Sequence, residues 1–418
     1  MKIVFLQVWH GENMGYSDSF LPPAVAALGH EVHLVASNVR PYFTSEMYRE
    51  VYEPHFGPPI VPCGVTRQSN GVSVHRLPHA WYRGMLRIRG LYRKLAELRP
   101  DVVQTFGLNV CVNHEAALYK PLLGYRLFCE ARVHRSVFAY ANSSAPLRTH
   151  LYWRLRKYVL GRFVSLMTTR CHPISADCAE IAVRFFGMSP HKIEVAPLGT
   201  DTNLFRPPQT RAEHDARCTL RQQLGFRDNE IVCIYTGRLT RDKGPLVLAH
   251  AVVRLVAEGA PFRGLFVGHG PPGIAERIRQ SPGCVVRPFV PAAELAPLYQ
   301  AADLAVWPKQ ESTSQIDAAA SGLPLILSHN VRVTERIEGN GLTYSEGDSD
   351  DLADKIRGLR NPELRQRMAA VGRQRAVALF DWRRLAARRV ADYVAARGGT
   401  TPVPAGDMTP GASLITPH

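Results

Sequence analysis

A short basic turn carries the strongest chemical signal in this chain: Tyr235-Thr236-Gly237-Arg238-Leu239-Thr240-Arg241-Asp242-Lys243-Gly244. An apolar run ends at Tyr235, and the turn presents Gly237, Arg238, Lys243 and Gly244 ahead of a helical stretch. Glycine lets backbone approach a ligand closely. A guanidinium and an ammonium together can hold a diphosphate and neutralise the charge on a departing one. Alone, the turn reads more often as two solvated bases, because basic turns are common. A second signal runs from Trp307 to Pro324, where Glu311 and Asp317 bracket the polar residues Ser312, Thr313, Ser314 and Gln315. Each carboxylate accepts two or more hydrogen bonds, which suits sugar hydroxyls. Backbone N–H groups at a helix start can face an anion or a sugar oxygen. Alone, either acid merely favours a helix N-terminus. His134 follows an apolar run at 126–131 and by itself reads as a surface or core histidine.

Alternating strands and helices must position these residues. The first half offers strand candidates at 2–8, 31–36, 72–77, 101–105, 126–131 and 192–197. After a polar, proline-rich break at Arg206-Pro207-Pro208-Gln209-Thr210 the alternation restarts, with candidates at 231–235, 264–267, 284–287, 304–307 and 323–327. Strands alternating with helices predict parallel α/β sheets. Such sheets bind ligands beyond the carboxyl ends of their strands, so two of them face each other across a cleft. The expected division is 1–205 and 206–379, then helix near 362–397 and a Gly/Pro/Thr/Ser-rich disordered tail over 398–418.

Bulk properties narrow the function classes. The 418 residues carry a formal charge of +15, which favours an anionic partner. Zinc-finger spacing and RNP-type aromatic motifs are missing, so nucleic acid is not the expected one. Two clusters mix arginine with aromatic and aliphatic residues, one over 81–94 and one over 148–162. Both read as interfacial helices or as solvated helix faces with snorkelling arginines. No run of about 18 apolar residues predicts a membrane span, and the start reads as a first strand rather than a signal peptide. Eight cysteines lack a CxxC pair; Cys129, Cys233 and Cys284 lie in apolar runs, which suits reduced core thiols in the cytoplasm.

With those residues in place, the chain resembles the family 4 glycosyltransferases of the GT-B fold. Gly237-Arg238-Leu239 through Lys243-Gly244 is similar to their donor-diphosphate motif, and Glu311 through Asp317-Ala318-Ala319-Ala320-Ser321-Gly322-Leu323-Pro324 to their paired-acid region. Gly268-His269-Gly270-Pro271, Glu294-Leu295 and Ala302-Asp303 fall between these in order. Val195 through Asp201 resembles the domain-junction signature, His172-Pro173-Ile174-Ser175 the segment before it, and Gly29-His30-Glu31-Val32 and Arg99-Pro100-Asp101-Val102-Val103 match near the start. The resemblance covers about residues 2–397; each motif is weak, but order and spacing together are specific.

The resemblance implies two facing Rossmann-like domains, with the C-terminal helix of about 380–397 packing back on the N-terminal acceptor-side domain (1–205), and retaining, metal-independent transfer of a sugar from a nucleotide-diphosphate sugar to an acceptor hydroxyl. Arg238 and Lys243 would bind the diphosphate, Asp317 the ribose and Glu311 the donor sugar. Gly15 would approach the phosphates, and His134 would lie near the transferred sugar. The donor set is then Gly15, Gly237, Arg238, Lys243, Glu311, Ser312, Thr313, Ser314, Gln315 and Asp317. No cofactor or metal is implied; a UDP-sugar is favoured over a GDP-sugar. The expected acceptor is a cell-envelope glycan or glycolipid, met by a cytoplasmic protein in peripheral contact with the inner face of the membrane. Two departures stand out. Only five residues separate Glu311 from Asp317, where the family has seven, and Arg287-Pro288-Phe289 replaces an apolar-Gly-apolar sequence near the expected base pocket. The alternatives are an inactive sugar-nucleotide-binding scaffold and a sugar-nucleotide epimerase on the same fold.

Overall fold

The first strand, β1 (Lys2–Gln7), has Ile3, Val4, Phe5 and Leu6 wholly buried, as a strand covered on both faces requires. The computed structural model describes residues 1–12, 14–138, 147–331 and 333–398. Asn13 and the expected tail beyond Gly398 lie outside them. Eight further strands complete the N-terminal half: β2 (Glu31–Ser37), β3 (Gly64–Arg67), β4 (Val72–Leu77), β5 (His79–Tyr82), β6 (Met85–Ile88), β7 (Val102–Thr105), β8 (Arg126–Ala131) and β9 (Thr168–Pro173). Seven of these form one sheet in the order β3-β4-β2-β1-β7-β8-β9, parallel except for β3 against β4. The second half supplies β10 (Ile231–Thr236), β11 (Phe262–Val267), β12 (Cys284–Arg287), β13 (Leu304–Trp307), β14 (Leu325–Ser328) and β15 (Gly341–Tyr344). They make an all-parallel sheet in the order β12-β11-β10-β13-β14-β15.

Both sheets reverse strand order beside a central strand. β1 lies between β2 and β7, and β10 between β11 and β13. A crevice opens at each switch point, so the loops after β1 and β10 are the natural ligand loops. Those loops contain Gly15 and the Arg238–Lys243 turn.

The chain crosses between the sheets twice. The outward crossing, 199–205, and the return at 380–382 pair through a parallel bridge between Thr200 and Asp381. Arg373 ties them together, its guanidinium donating to the carbonyls of Thr202, Phe205 and Ala320 at 2.8–3.0 Å. After the return, the helix Trp382–Ala395 buries Trp382, Leu385, Ala386, Val390 and Tyr393 in a core cluster with Ile3, Phe5, Leu21 and Phe128 of the first half. Tyr393 Oη and Arg389 Nη1 both donate to Gln104.

Three expectations differ locally. Residues 192–197 form no named strand: a 3-10 turn at Pro190–Lys192 leads to one isolated bridge from Ile193 to Cys171. The helical stretch 362–397 is broken at Phe380, where Asp381 caps the next helix by accepting from Arg383 N. The cluster 81–94 is not a helix. Its first part is the hairpin β5–β6, turned by Arg83 and Gly84 at φ 49° and 75°, the paired left-handed conformation of a tight hairpin turn.

Candidate active site

The turn after β10 is built by close backbone approach. Gly237 (φ 143°) donates its N–H to Val267, and Gly268 (φ 150°) crosses over it so closely that a Cβ there would meet Gly237 O at 1.9 Å. Only glycine fits this crossing. Tyr235 Oη donates to Arg238 O at 2.7 Å and fixes the turn. Arg238 pairs with Asp242 at 3.3 Å on the surface of the turn. Lys243 leans inward, its Nζ 3.4 Å from Glu311 O. Burial, reinforced by the Arg238 charge, lowers its pKa, so an incoming anion that restores the ammonium's stability is favoured there. Pro245 opens the following helix, Pro245–Ala257, at a position that needs no N–H.

The acidic loop lies beside this turn. Arg336, buried, donates to Ser312 O at 2.8 Å and to Gln315 Oε1 at 3.0 Å, and Gln315 Nε2 donates to Gln310 O. Gln310 adopts φ 56°, a left-handed conformation unusual for glutamine. Gln315, expected among the donor contacts, has no exposed surface; its amide supports the loop from behind rather than facing the cleft. Ser314 opens a helix of only seven residues, Ser314–Ala320. Asp317 accepts from Thr200 Oγ1 at 2.6 Å. Burial pushes its pKa to about 7, against the opposing effects of Thr200 and Arg336. Asp317 and Thr313 share a small cavity with Gly15, Gly199 and Trp382.

Across the cleft, Gly15 (φ 81°) approaches Ala292: a Cβ on it would lie 3.8 Å from the alanine Cβ. Its loop is anchored by Glu12, which accepts from Arg76 and Arg40 at 2.8 and 2.7 Å. Burial opposes ionisation of Glu12, but Arg76 with His10 outweighs it and holds the pKa at about 2. His134 follows β8, and its Nδ1 faces both oxygens of Asp177 at 3.1–3.2 Å. Asp177 also accepts from Ser175 Oγ and from the Arg135 N–H. Burial raises its pKa, yet the hydrogen bonds from His134 and Ser175 prevail and keep it low. A carboxylate so held accepts from the Nδ1–H of His134 and fixes the orientation of its ring.

Several contacts bridge the cleft. Ser136 Oγ donates to Glu311 Oε2 at 2.6 Å, Tyr52 Oη meets His269 Nε2 at 3.1 Å, and Gly15 closes on Ala292. Thus Glu311 meets Lys243 and Ser136, two residues from His134, while Asp317, Thr313 and Gly15 line a small cavity. Phe289, near the expected base pocket, is covered by Tyr52, His55 and Phe56. Sequence reasoning did not single out Asp177, Ser136 or Arg336. An N-cap serine with an acid two residues later hints at Asp177; the other two act only through tertiary contacts. His134, Asp177 and Cys178 bring potential metal-ligand atoms within 4.8 Å of one another, as do His172, Glu194 and Asp392. In both groups the carboxylates already serve protein donors, Asp177 as above and Glu194 and Asp392 through Arg170.

Comparison with known proteins agrees with this architecture. The model described as Glycosyltransferase Family 4 matches residues 23–204, and the one described as Glycosyl transferases group 1 matches 230–361. A D-inositol 3-phosphate glycosyltransferase of Segniliparus rotundus is 30% identical over 52% of this chain and 50% of its own. An MMP alpha-(1->4)-mannosyltransferase of Mycolicibacterium hassiacum is 28% identical over 59% and 57%. The chain thus spans about half the length of the curated relatives it matches. Among solved structures, a sucrose-phosphate synthase from Thermosynechococcus elongatus superposes with TM-score 0.66 at 20% identity, covering 94% of this chain and 98% of that one. Anabaena HepE in complex with UDP gives 0.67 at 17%, covering 94% and 100%. With one family model on each sheet domain and the same two-domain fold in these structures, the chain has the GT-B fold and joins a Glycosyltransferase Family 4 domain at 23–204 to a Glycosyl transferases group 1 domain at 230–361.

Proposed function

We propose that the protein is a retaining, metal-independent glycosyltransferase that moves a sugar from a nucleotide-diphosphate donor to an acceptor hydroxyl. The observation that carries this reading is the meeting of Lys243 and Glu311, from the second sheet domain, with Ser136 of the first, two residues from His134. Arg238 and Lys243 take up the charge that grows on the departing diphosphate. The acceptor attacks on the face the diphosphate leaves, and a diphosphate oxygen takes its proton. Glu311 orients the donor sugar, and His134, held by Asp177, hydrogen-bonds near the transferred ring. Positioning and charge stabilisation then do most of the catalysis. Anabaena HepE holds UDP and UDP-glucose in its structures, which supports a UDP-sugar donor.

The test is a thermal-shift screen of nucleoside diphosphates and nucleotide sugars, with and without EDTA, on wild type and Lys243→Ala. A base-selective rise that survives EDTA and vanishes in the variant is expected. No shift from any nucleotide defeats this reading.

The acceptor belongs to a membrane-linked or cell-envelope glycan on this reading. Support comes from the segment at 147–167, which contains no acidic residue and exposes Leu147, Leu151, Tyr152, Leu155 and Tyr158 beside Arg148, Arg154 and Arg162. Such a face suits an anionic membrane surface. No described helix is long and apolar enough to cross a membrane. Flotation with anionic vesicles at low salt is expected, and to be lost when the three arginines become glutamate; no wild-type flotation defeats the membrane contact.

A further inference from the structure

A row of aromatic rings leads away from the cleft. Tyr52, which meets His269, stacks on Tyr42 at 4.9 Å, and the next residue, Phe43, stacks on Trp81 at 6.0 Å. Trp81 and Tyr82 on the β5–β6 hairpin, with Tyr92 and Tyr119 edge to face at 5.2 Å, wall a pocket of about 440 Å³. These rings are not simply core: Trp81 is 56% exposed and Tyr82 49%. Arg83 and Arg87 lie 5.6 Å over Tyr82 and hold its ring in place.

The other wall of the pocket is polar. Glu115 lies there on the helix Cys111–Leu123, and Arg87 Nε donates to its Oε1 at 2.9 Å. Its Oε2 is buried and accepts no hydrogen bond among the described residues. The Glu115 side chain keeps 12% of its surface exposed and Arg87 41%, so the pair presents an acceptor and donors to an occupant of the pocket. An acyl chain offers no hydrogen bond to the charged wall of Arg87, Arg89 and Glu115. A sugar ring satisfies both walls: its C–H face packs on the aromatic rings, one hydroxyl donates to Glu115, and others accept from Arg87.

We propose that the Trp81–Glu115 pocket is a saccharide subsite, connected to the cleft by the Tyr42–Phe43 row, that holds a ring of an acceptor glycan several sugars long. Calling that glycan an acceptor rests on the glycosyltransferase reading; the saccharide site does not.

The test is calorimetric titration of the full chain, without nucleotide, with gluco-, manno- and galacto-oligosaccharides of increasing length. Wild type, Trp81→Ala, Trp81→Phe and Glu115→Gln are compared, and the thermal shift with nucleoside diphosphates is recorded separately on each. We expect at least one series to bind more tightly as it lengthens. Trp81→Ala and Glu115→Gln should each weaken it about tenfold, and Trp81→Phe should retain it. The nucleotide response should be the same in all four. No oligosaccharide binding to wild type, or equal binding by Trp81→Ala and Glu115→Gln, overturns the subsite. Vesicle binding that Trp81→Ala abolishes, with no saccharide binding, assigns the hairpin to a membrane and also overturns it. Saccharide binding without any nucleotide shift keeps the subsite and removes the glycosyltransferase reading.

Discussion

Replacing Asp317 with asparagine should make the protein more stable in mild alkali and far less so in mild acid. Asp317 sits between the domain crossing and the cleft, bonded to Thr200 Oγ1 at 2.6 Å. Burial raises its pKa from the ordinary 3.8 to about 7; Asp201 adds a little, while Thr200 and Arg336 oppose. A carboxyl with a raised folded pKa binds more protons in the native state than in the unfolded one. Its contribution to stability is therefore greatest at low pH and falls as pH rises from about 4 to about 7. With about 1.4 kcal/mol for each unit of pKa difference, the change between about pH 5 and pH 8.5 is ~2–3 kcal/mol. Solvent reaching Asp317 through the small cavity brings this nearer ~2 kcal/mol. Asparagine keeps an acceptor for Thr200 and never ionises, so Asp317→Asn removes the pH term and little else.

The assay is urea unfolding of both proteins at those two pH values. Because Thr200 belongs to the crossing and Asp317 to the second sheet domain, unfolding of either domain breaks their bond. Asparagine should gain on wild type by ~2 kcal/mol on going from pH 5 to pH 8.5. A difference independent of pH, or one that shrinks in alkali, refutes the argument that Asp317 is held partly protonated by burial.

Other expectations follow from single contacts. Gly268→Ala forces a Cβ against the Gly237 carbonyl, which is backbone and cannot swing away; it should lower stability by ~2–3 kcal/mol in urea unfolding and weaken nucleotide binding. Asp177→Asn removes the carboxylate that orients His134; transfer should fall by about 10²-fold with an altered pH–rate profile, while the nucleotide thermal shift persists. Arg336→Met replaces a buried guanidinium by an apolar chain; stability should stay within ~2 kcal/mol of wild type in urea unfolding while donor KM rises, because the loop loses its support.

The sheet strands were readable because their signal is local. Runs such as Ile231-Val232-Cys233-Ile234-Tyr235 are buried throughout, and a fully buried strand needs a continuous apolar sequence. The turn after β10 was readable because glycines and bases stand together in ten residues. The hairpin was not: Trp81 and Tyr82 are adjacent and both exposed, so no alternation of period two marks β5. Its turn uses Arg83 at φ 49°, a position where sequence signals expect asparagine or glycine. Residues 192–197 are apolar enough to suggest a strand, yet beside β9 they keep only scattered bonds, Glu194 N to Cys171 O and Ala196 N to Pro173 O. Arg336 stands nineteen residues after Asp317 in sequence, and nothing local says that the polypeptide returns it to the Ser312 carbonyl.

The shortened acidic loop changes how the cleft is held together. With five residues between Glu311 and Asp317, the loop turns through a left-handed Gln310 and is braced from behind by Gln315 and Arg336. In that shape the Glu311 carboxylate reaches across to Ser136, two residues from His134. That bridge and the Tyr52–His269 contact are polar contacts worth about 1 kcal/mol each, and beside them the rings of Tyr52, His55 and Phe56 pack on Phe289. The crossings behind the cleft are far stronger, with Arg373 on three carbonyls and a buried helix from Trp382 onward. If the cleft opens for a donor, the front contacts are the ones to separate and the crossings are the expected hinge. Thr200 is part of that hinge, and its hydroxyl is bonded to Asp317 at the edge of the cavity that Gly15 also lines. On the proposed reading, a donor hydroxyl that engages Asp317 would share the carboxylate that Thr200 holds, and Thr200→Val is then expected to change donor affinity in the nucleotide thermal shift.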